Sequence, residues 1–216
     1  MRRWLLLLAV TVVGLSGPAE AGAARTISLA PSGDVGLPFW CDWGYDWEWR
    51  CYRDDGARLP IGGVDDKVWR AALRFSLAAV PAWATVTSAE LRVYHDGVCV
   101  APRKESVPCV PPGAVVDAHR ILSASWFAER EVDFDARVLD TAVVFAANEP
   151  QWLAWNLTSL ARSWHRGQLS NDGVLLKLQD GDEWFGVPGP YGPSSSYPDA
   201  SLRPRLVVTY SRPGPS

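Results

Sequence analysis

The sequence predicts an all-β protein, an antiparallel β-sandwich with one short helix. Two observations carry that expectation. Apolar residues recur mainly at a period of two, and Gly, Pro, Asp and Asn punctuate the segments between. A third fixes the helix count, because a single segment combines helical spacing with residues suited to both caps.

From Val68 to Leu77, Trp69, Ala71, Leu73, Phe75 and Leu77 alternate with Arg70, Arg74 and Ser76, as in a half-buried strand. Pro81-Ala82-Trp83-Ala84 reads as a turn. From Val86 to Tyr94 the pattern returns, with Ala89, Leu91 and Val93 facing one way and Glu90 and Arg92 the other. Val143 to Ala147, Trp152 to Leu157, Val174 to Leu178 and Leu206 to Tyr210 read as further strands. The helix is expected over about 158–166. Thr158 suits its N-cap, Leu160 and Trp164 share one face as core residues, and Gly167 suits the C-terminal cap. Arg162, His165 and Arg166 form its polar face. Ser170-Asn171-Asp172-Gly173 is a turn, and Pro111-Pro112-Gly113 and Gly189 to Ser196 are loops. With no internal repeat or linker visible, residues 26–211 are expected to form one domain, with 212–216 a frayed tail.

The N-terminus points to export. Arg2 and Arg3 precede an apolar run, Trp4 to Leu15, that is shorter than the ~20 residues a membrane span requires. Ala19-Glu20-Ala21 then offers a small-residue cleavage site, making 1–21 a signal peptide, with cleavage after Ala24 the alternative. The chain is expected to be secreted or at the cell surface and not membrane-embedded. A net charge of −3 and the lack of a basic stripe argue against a nucleic-acid partner. The four cysteines form two close pairs. Four allow three connectivities, and the expected one is Cys41–Cys51 with Cys99–Cys109.

Four stretches, taken in order, carry a resemblance. They are Arg70 to Val80, Ala84 to Tyr94 (ATVTSAELRVY), Asn156 to Gly173, and Ser195 to Tyr210 ending RPRLVVTY. Together they resemble the DNRLRE-type domains of secreted proteins, a group related to family-96 carbohydrate-binding modules. The resemblance implies a jelly-roll sandwich that binds polysaccharide or cell-wall glycan, or that serves as a building block of surface proteins. The family's aspartates are replaced here by Asn156 and Ser76, and its early NYG segment is not visible.

The densest local feature is Phe39 to Tyr52, FWCDWGYDWEWRCY. Planar aromatics stack on sugar faces while charged groups bond the hydroxyls. Trp40, Trp43, Tyr45, Trp47, Trp49 and Arg50 are therefore the expected carbohydrate-binding residues. The alternative is that these rings close a second small core. Trp184, Phe185 and Tyr191 could line a second aromatic surface or anchor a loop. Asp133 and Asp135, and Asp180, Asp182 and Glu183, offer oxygen ligands for a structural calcium, but neither set fits a calcium-loop motif. No cofactor is expected.

His95, His119 and His165 belong to no recognisable catalytic pattern, so the chain is read as a non-enzyme. Asn156-Leu157-Thr158 is a glycosylation sequon read as structural. The leading functional expectation is a glycan-binding module. The alternative is a structural or adhesion domain with a protein partner, and the remote alternative is a polysaccharide hydrolase or lyase.

Overall fold

A computed structural model of the chain describes residues 23–212 apart from 39–41, 44–48, 51–55, 65–66, 98–111, 124–131, 146–148, 185–186 and 188. The signal peptide expected over 1–21 and all four cysteines lie outside the described residues.

Strand β1 (Arg25–Leu29) leads into β2 (Pro31–Pro38), and a two-residue ladder joins β3 (Asp42–Trp43) to β4 (Trp49–Arg50). Then come β5 (Arg58–Pro60), β6 (Gly62–Val64), β7 (Lys67–Phe75) and β8 (Thr85–His95). β9 (Val115–Ile121), β10 (Phe134–Val143) and β11 (Gln151–Asn156) precede the helix α1 (Thr158–His165). β12 (Val174–Leu178), the five-residue helix α2 (Asp180–Trp184), β13 (Tyr191–Pro193), a 3-10 turn at Ala200–Leu202 and β14 (Arg205–Ser211) follow.

A four-stranded sheet has the order β1-β14-β8-β11, and a six-stranded one the order β10-β9-β12-β7-β2 with β6 also on β7. Every pairing among the described strands is antiparallel. The all-β class read from the sequence is what forms. The apolar segment at Val143 is displaced from its expected place: β10 ends there, and Phe145 beyond it is 81% exposed.

One side of each of β7, β8, β11, β12 and β14 faces between the sheets, as the alternation read in the first two directs. Val86, Leu91, Val93, Leu153, Leu206 and Val208 from one sheet meet Leu73, Phe75, Val116, Val174, Leu176 and Leu178 from the other. Trp155 on β11 is fully buried there, and its indole Nε1–H donates to the Val116 carbonyl on β9 at 2.9 Å. A smaller cluster, Val35, Leu37, Ala72, Ile121 and Leu175 with Val132 and Phe134, lies on the outer face of the six-stranded sheet.

Helix α1 plugs one end of the core with Leu160, Ala161 and Trp164. Its C-terminus closes as expected. Gly167 takes φ +66°, the Gly167 N–H bonds the Trp164 carbonyl at 3.0 Å, and the Gln168 N–H bonds the Ser163 carbonyl at 2.9 Å. The N-terminus differs from expectation. Leu157 holds the N-cap position, because its side chain continues β11 into the core. Capping moves one residue back, where the Asn156 Oδ1 accepts from the Thr158 N–H at 3.0 Å. The Thr158 hydroxyl turns away to accept from the Ala89 N–H at 3.0 Å.

Trp164 is 7% exposed and its ring fills the space beneath the helix. Trp164→Ala should cost about 3–5 kcal/mol, read as a lower midpoint in denaturant unfolding at unchanged slope. An unchanged midpoint would remove Trp164 from the core.

Candidate partner-binding surface

Strand pairing decides which polar side chains share a face. On the outer side of the four-stranded sheet, Trp152 lies opposite Tyr94, Ala154 opposite Arg92, and Arg205 opposite Arg92. These are the outward positions that alternate with the buried Leu91, Val93, Leu153 and Leu206. The rings of Tyr94 and Trp152 are 5.1 Å apart and tilted by 55°. The Arg205 guanidinium lies over the Trp152 ring at 4.2 Å. Arg92 bonds Glu90 through Nε at 2.5 Å, and both side chains are substantially exposed. Arg205 has no carboxylate partner among the described residues. The face therefore presents an unpaired guanidinium, the outer nitrogens of Arg92, the Tyr94 hydroxyl and the Trp152 indole N–H. Trp, Tyr and Arg are the residue types that most often dominate protein–protein contacts.

The six-stranded sheet carries a different charge cluster on its outer face. Arg70 on β7 holds Glu183 on α2 in a bidentate pair, at 2.8 and 2.9 Å. Lys177 on β12 is buried, and its Nζ reaches the Leu178 carbonyl at 2.9 Å, Asp180 at 2.6 Å and Glu183 at 3.3 Å. Glu183 thus answers two cations and fastens α2 to the sheet. Asp180, itself in solvent, is held below the usual carboxylate range by its hydrogen bond to Lys177. Phe134 lies under Arg70 at 5.1 Å and edge-on to His119 at 5.2 Å.

Asp117 pairs across from Lys177 and is 7% exposed, with Oδ1 unbonded. Burial pushes its carboxyl up, against the lowering pull of His119 and Lys177. His119 donates from Nδ1 to the Asp135 carbonyl at 2.9 Å, which leaves its Nε2 buried without a partner. A carboxyl raised by burial favours the folded state most while it is protonated. That contribution is full below the ordinary carboxylate range and is lost as pH rises through the folded-state pKa. Asp117→Asn should therefore match the parent near pH 4 and become the more stable of the two as pH rises to about 8. Melting curves across that range check this; an advantage that is flat or reversed would contradict it.

A polar cleft of about 540 Å³ opens beside the start of α1, lined in part by Thr87, Asp140, Asn156, Thr158, Ser159 and Arg162. Its polar groups largely answer one another. Asp140 accepts from the Asn156 N–H at 2.5 Å, and Arg162 donates to the Val86 and Thr87 carbonyls.

The site residues expected from the sequence fall largely outside the described residues. Trp40, Tyr45 and Trp47 lie outside the described residues, as do Cys41, Cys51, Cys99 and Cys109. For Trp43, Trp49 and Arg50 only the backbone ladder is described. Phe185 is also outside, and Trp184 ends α2. Tyr191 on β13 is a half-buried anchor under the Arg58 guanidinium at 5.2 Å. Asp96, which pairs with Arg58, and Gly192 stand beside it. Gly192 is required by close approach, since a Cβ there would meet the Tyr94 carbonyl oxygen at 1.9 Å. Asp180 and Glu183 bind the chain's own cations, and Asp135 accepts from the Arg137 N–H. No group of three His, Cys, Asp or Glu side chains is placed to hold a metal ion among the described residues. No helix among them is long and apolar enough to cross a membrane. The reading missed Arg92, Tyr94, Trp152 and Arg205, whose signal is Arg, Tyr and Trp at the outward positions of strands.

Fold and surface together define an antiparallel β-sandwich domain with a half-buried arginine–aromatic sheet face. The sequence model of the TGF-beta propeptide family matches residues 60–187, more than half of the 216, and the chain belongs to that family. No curated protein matches it. Membership agrees with an exported, non-enzymatic chain. It overturns the DNRLRE-type resemblance and, with it, the carbohydrate-binding function and the polysaccharide or cell-wall glycan partner. The stretches that carried that resemblance coincide with β7, β8, β11 to the turn before β12, and β14. They record the in–out alternation of a sandwich and one capped helix, which sandwiches with other functions share. The alternative of a protein-binding domain fits the family better.

Proposed function

We propose that the chain is an exported, non-enzymatic domain that binds a protein partner, as a propeptide of the TGF-beta kind does. The observation that carries this is the family match over residues 60–187. The arginine–aromatic face supports it, with large side chains held by stacking on a rigid sheet and little conformational freedom left to lose on association. The three histidines are engaged with backbone carbonyls, which suits a binding role: His95 with Tyr191, His119 with Asp135 and His165 with Ala84.

Cross-linking of the chain in the medium of the cells that secrete it, followed by mass spectrometry, tests the reading. The expected result is one protein cross-linked reproducibly through a confined set of residues. Cross-links scattered over unrelated proteins, or none, would contradict it.

A further inference from the structure

We infer that the outer face of the four-stranded sheet is the docking surface, and that it takes an acidic segment of the protein partner. The inference rests on the protein-partner reading and adds the place and the chemistry. Charge complementarity carries it. The chain has a net charge of −3, yet the outward positions of β8, β11 and β14 place two arginines, Arg92 and Arg205, against one glutamate, Glu90. Glu90 answers only the Nε of Arg92.

Arg205 differs from the other arginines described above. Arg58 pairs with Asp96, Arg70 with Glu183, and Arg162 bonds two backbone carbonyls. Arg205 instead lies over the Trp152 ring at 4.2 Å, its nitrogens answered by no carboxylate or carbonyl among the described residues. A guanidinium held over a ring keeps donors free at its edge, and a bidentate carboxylate can take them. The Trp152 N–H and Tyr94 O–H are also unanswered donors, and the rings give the apolar floor on which neighbouring side chains can rest. Apart from the second oxygen of Glu90, the free polar groups here can donate, so the surface fits a segment rich in Asp or Glu with apolar residues between.

The test uses the whole secreted chain and a blocked peptide of alternating Glu and Val, with its Gln and Lys counterparts as controls. Binding is followed by the NMR signal of the Trp152 indole N–H. The Glu peptide should bind and shift that signal, and the Gln and Lys peptides should not. Added salt should weaken the binding. Arg205→Gln, which removes no core contact, should weaken it about tenfold or more while leaving the melting temperature unchanged. Equal binding by Arg205→Gln, or a Trp152 signal that does not move, would overturn the inference. So would equal binding of an oligosaccharide of uronic acids, since the face would then read carboxylates without regard to peptide. These outcomes are separable from failure of the broader reading. A protein captured equally by parent and Arg205→Gln leaves the protein-partner reading standing and moves the surface elsewhere. Absence of any captured protein contradicts the reading itself.

Discussion

Replacing Glu183 by Ala should destabilise the fold by about 3–5 kcal/mol, the cost of breaking a buried ion pair from one side. Glu183 is 3% exposed and is shared by Arg70 and Lys177, whose side chains are 14% and 3% exposed. Its loss leaves two cations on the outer sheet face with Asp180, which stands in water, as the remaining carboxylate bonded to Lys177. α2 also loses its tie to β7. Denaturant unfolding of the parent and variant measures the cost. Since the penalty comes from stranded charge, replacing Arg70, Lys177 and Glu183 together by apolar residues of similar volume should recover most of it. A single variant as stable as the parent would show that the network contributes nothing.

Trp155→Ala should cost at least as much. The substitution removes a fully buried indole, worth about 3–5 kcal/mol as a cavity, and a hydrogen bond worth about 1 kcal/mol more. Trp155 is the point where β11 of one sheet bonds β9 of the other. Trp155→Phe weights the two contributions differently, because it keeps a six-membered ring in the core and loses the N–H with the fused five-membered ring. A loss of about 1–2 kcal/mol in that variant, well short of the Ala variant, is expected from calorimetric melting. Equal losses in the two variants would place the whole effect in the hydrogen bond and contradict the packing argument.

The same residues show why part of the fold was legible and part was not. β7, β8 and β14 alternate apolar and polar side chains, and α1 carries Leu160 and Trp164 on one side, so periodicity finds them, while β12 shows as a short apolar run buried on both faces. β9 defeats the same test because Asp117 and His119 sit buried on its second face, opposite Leu175 and Lys177 of β12. β2, PSGDVGLP, has the composition of a loop, and its edge position is what tolerates its prolines. β10 is blurred by two register shifts, which spread its exposed residues over three consecutive positions. α2, DGDEW, is a single turn held by Lys177 and Arg70 from other strands, a support no local pattern contains.

The candidate surface was hidden for a related reason. Arg92, Tyr94, Trp152 and Arg205 lie in strands that were found, but only the register of β8 against β11 and β14 makes them neighbours. The aromatics of Phe39 to Tyr52 are adjacent in sequence and so legible there, whereas a surface on a sheet is assembled from residues far apart in the chain.

Hydroxyl-radical footprinting of the chain alone and in its cross-linked protein complex tests the central claim most directly. Trp83, 51% exposed and in the turn before β8, at the end of that strand away from Tyr94, serves as the internal reference. Oxidation of Trp152 and Tyr94 should fall several-fold in the complex while Trp83 reacts as before. Unchanged oxidation of Trp152 and Tyr94, with protection at Trp83 or elsewhere, would contradict the claim that this sheet face holds the partner.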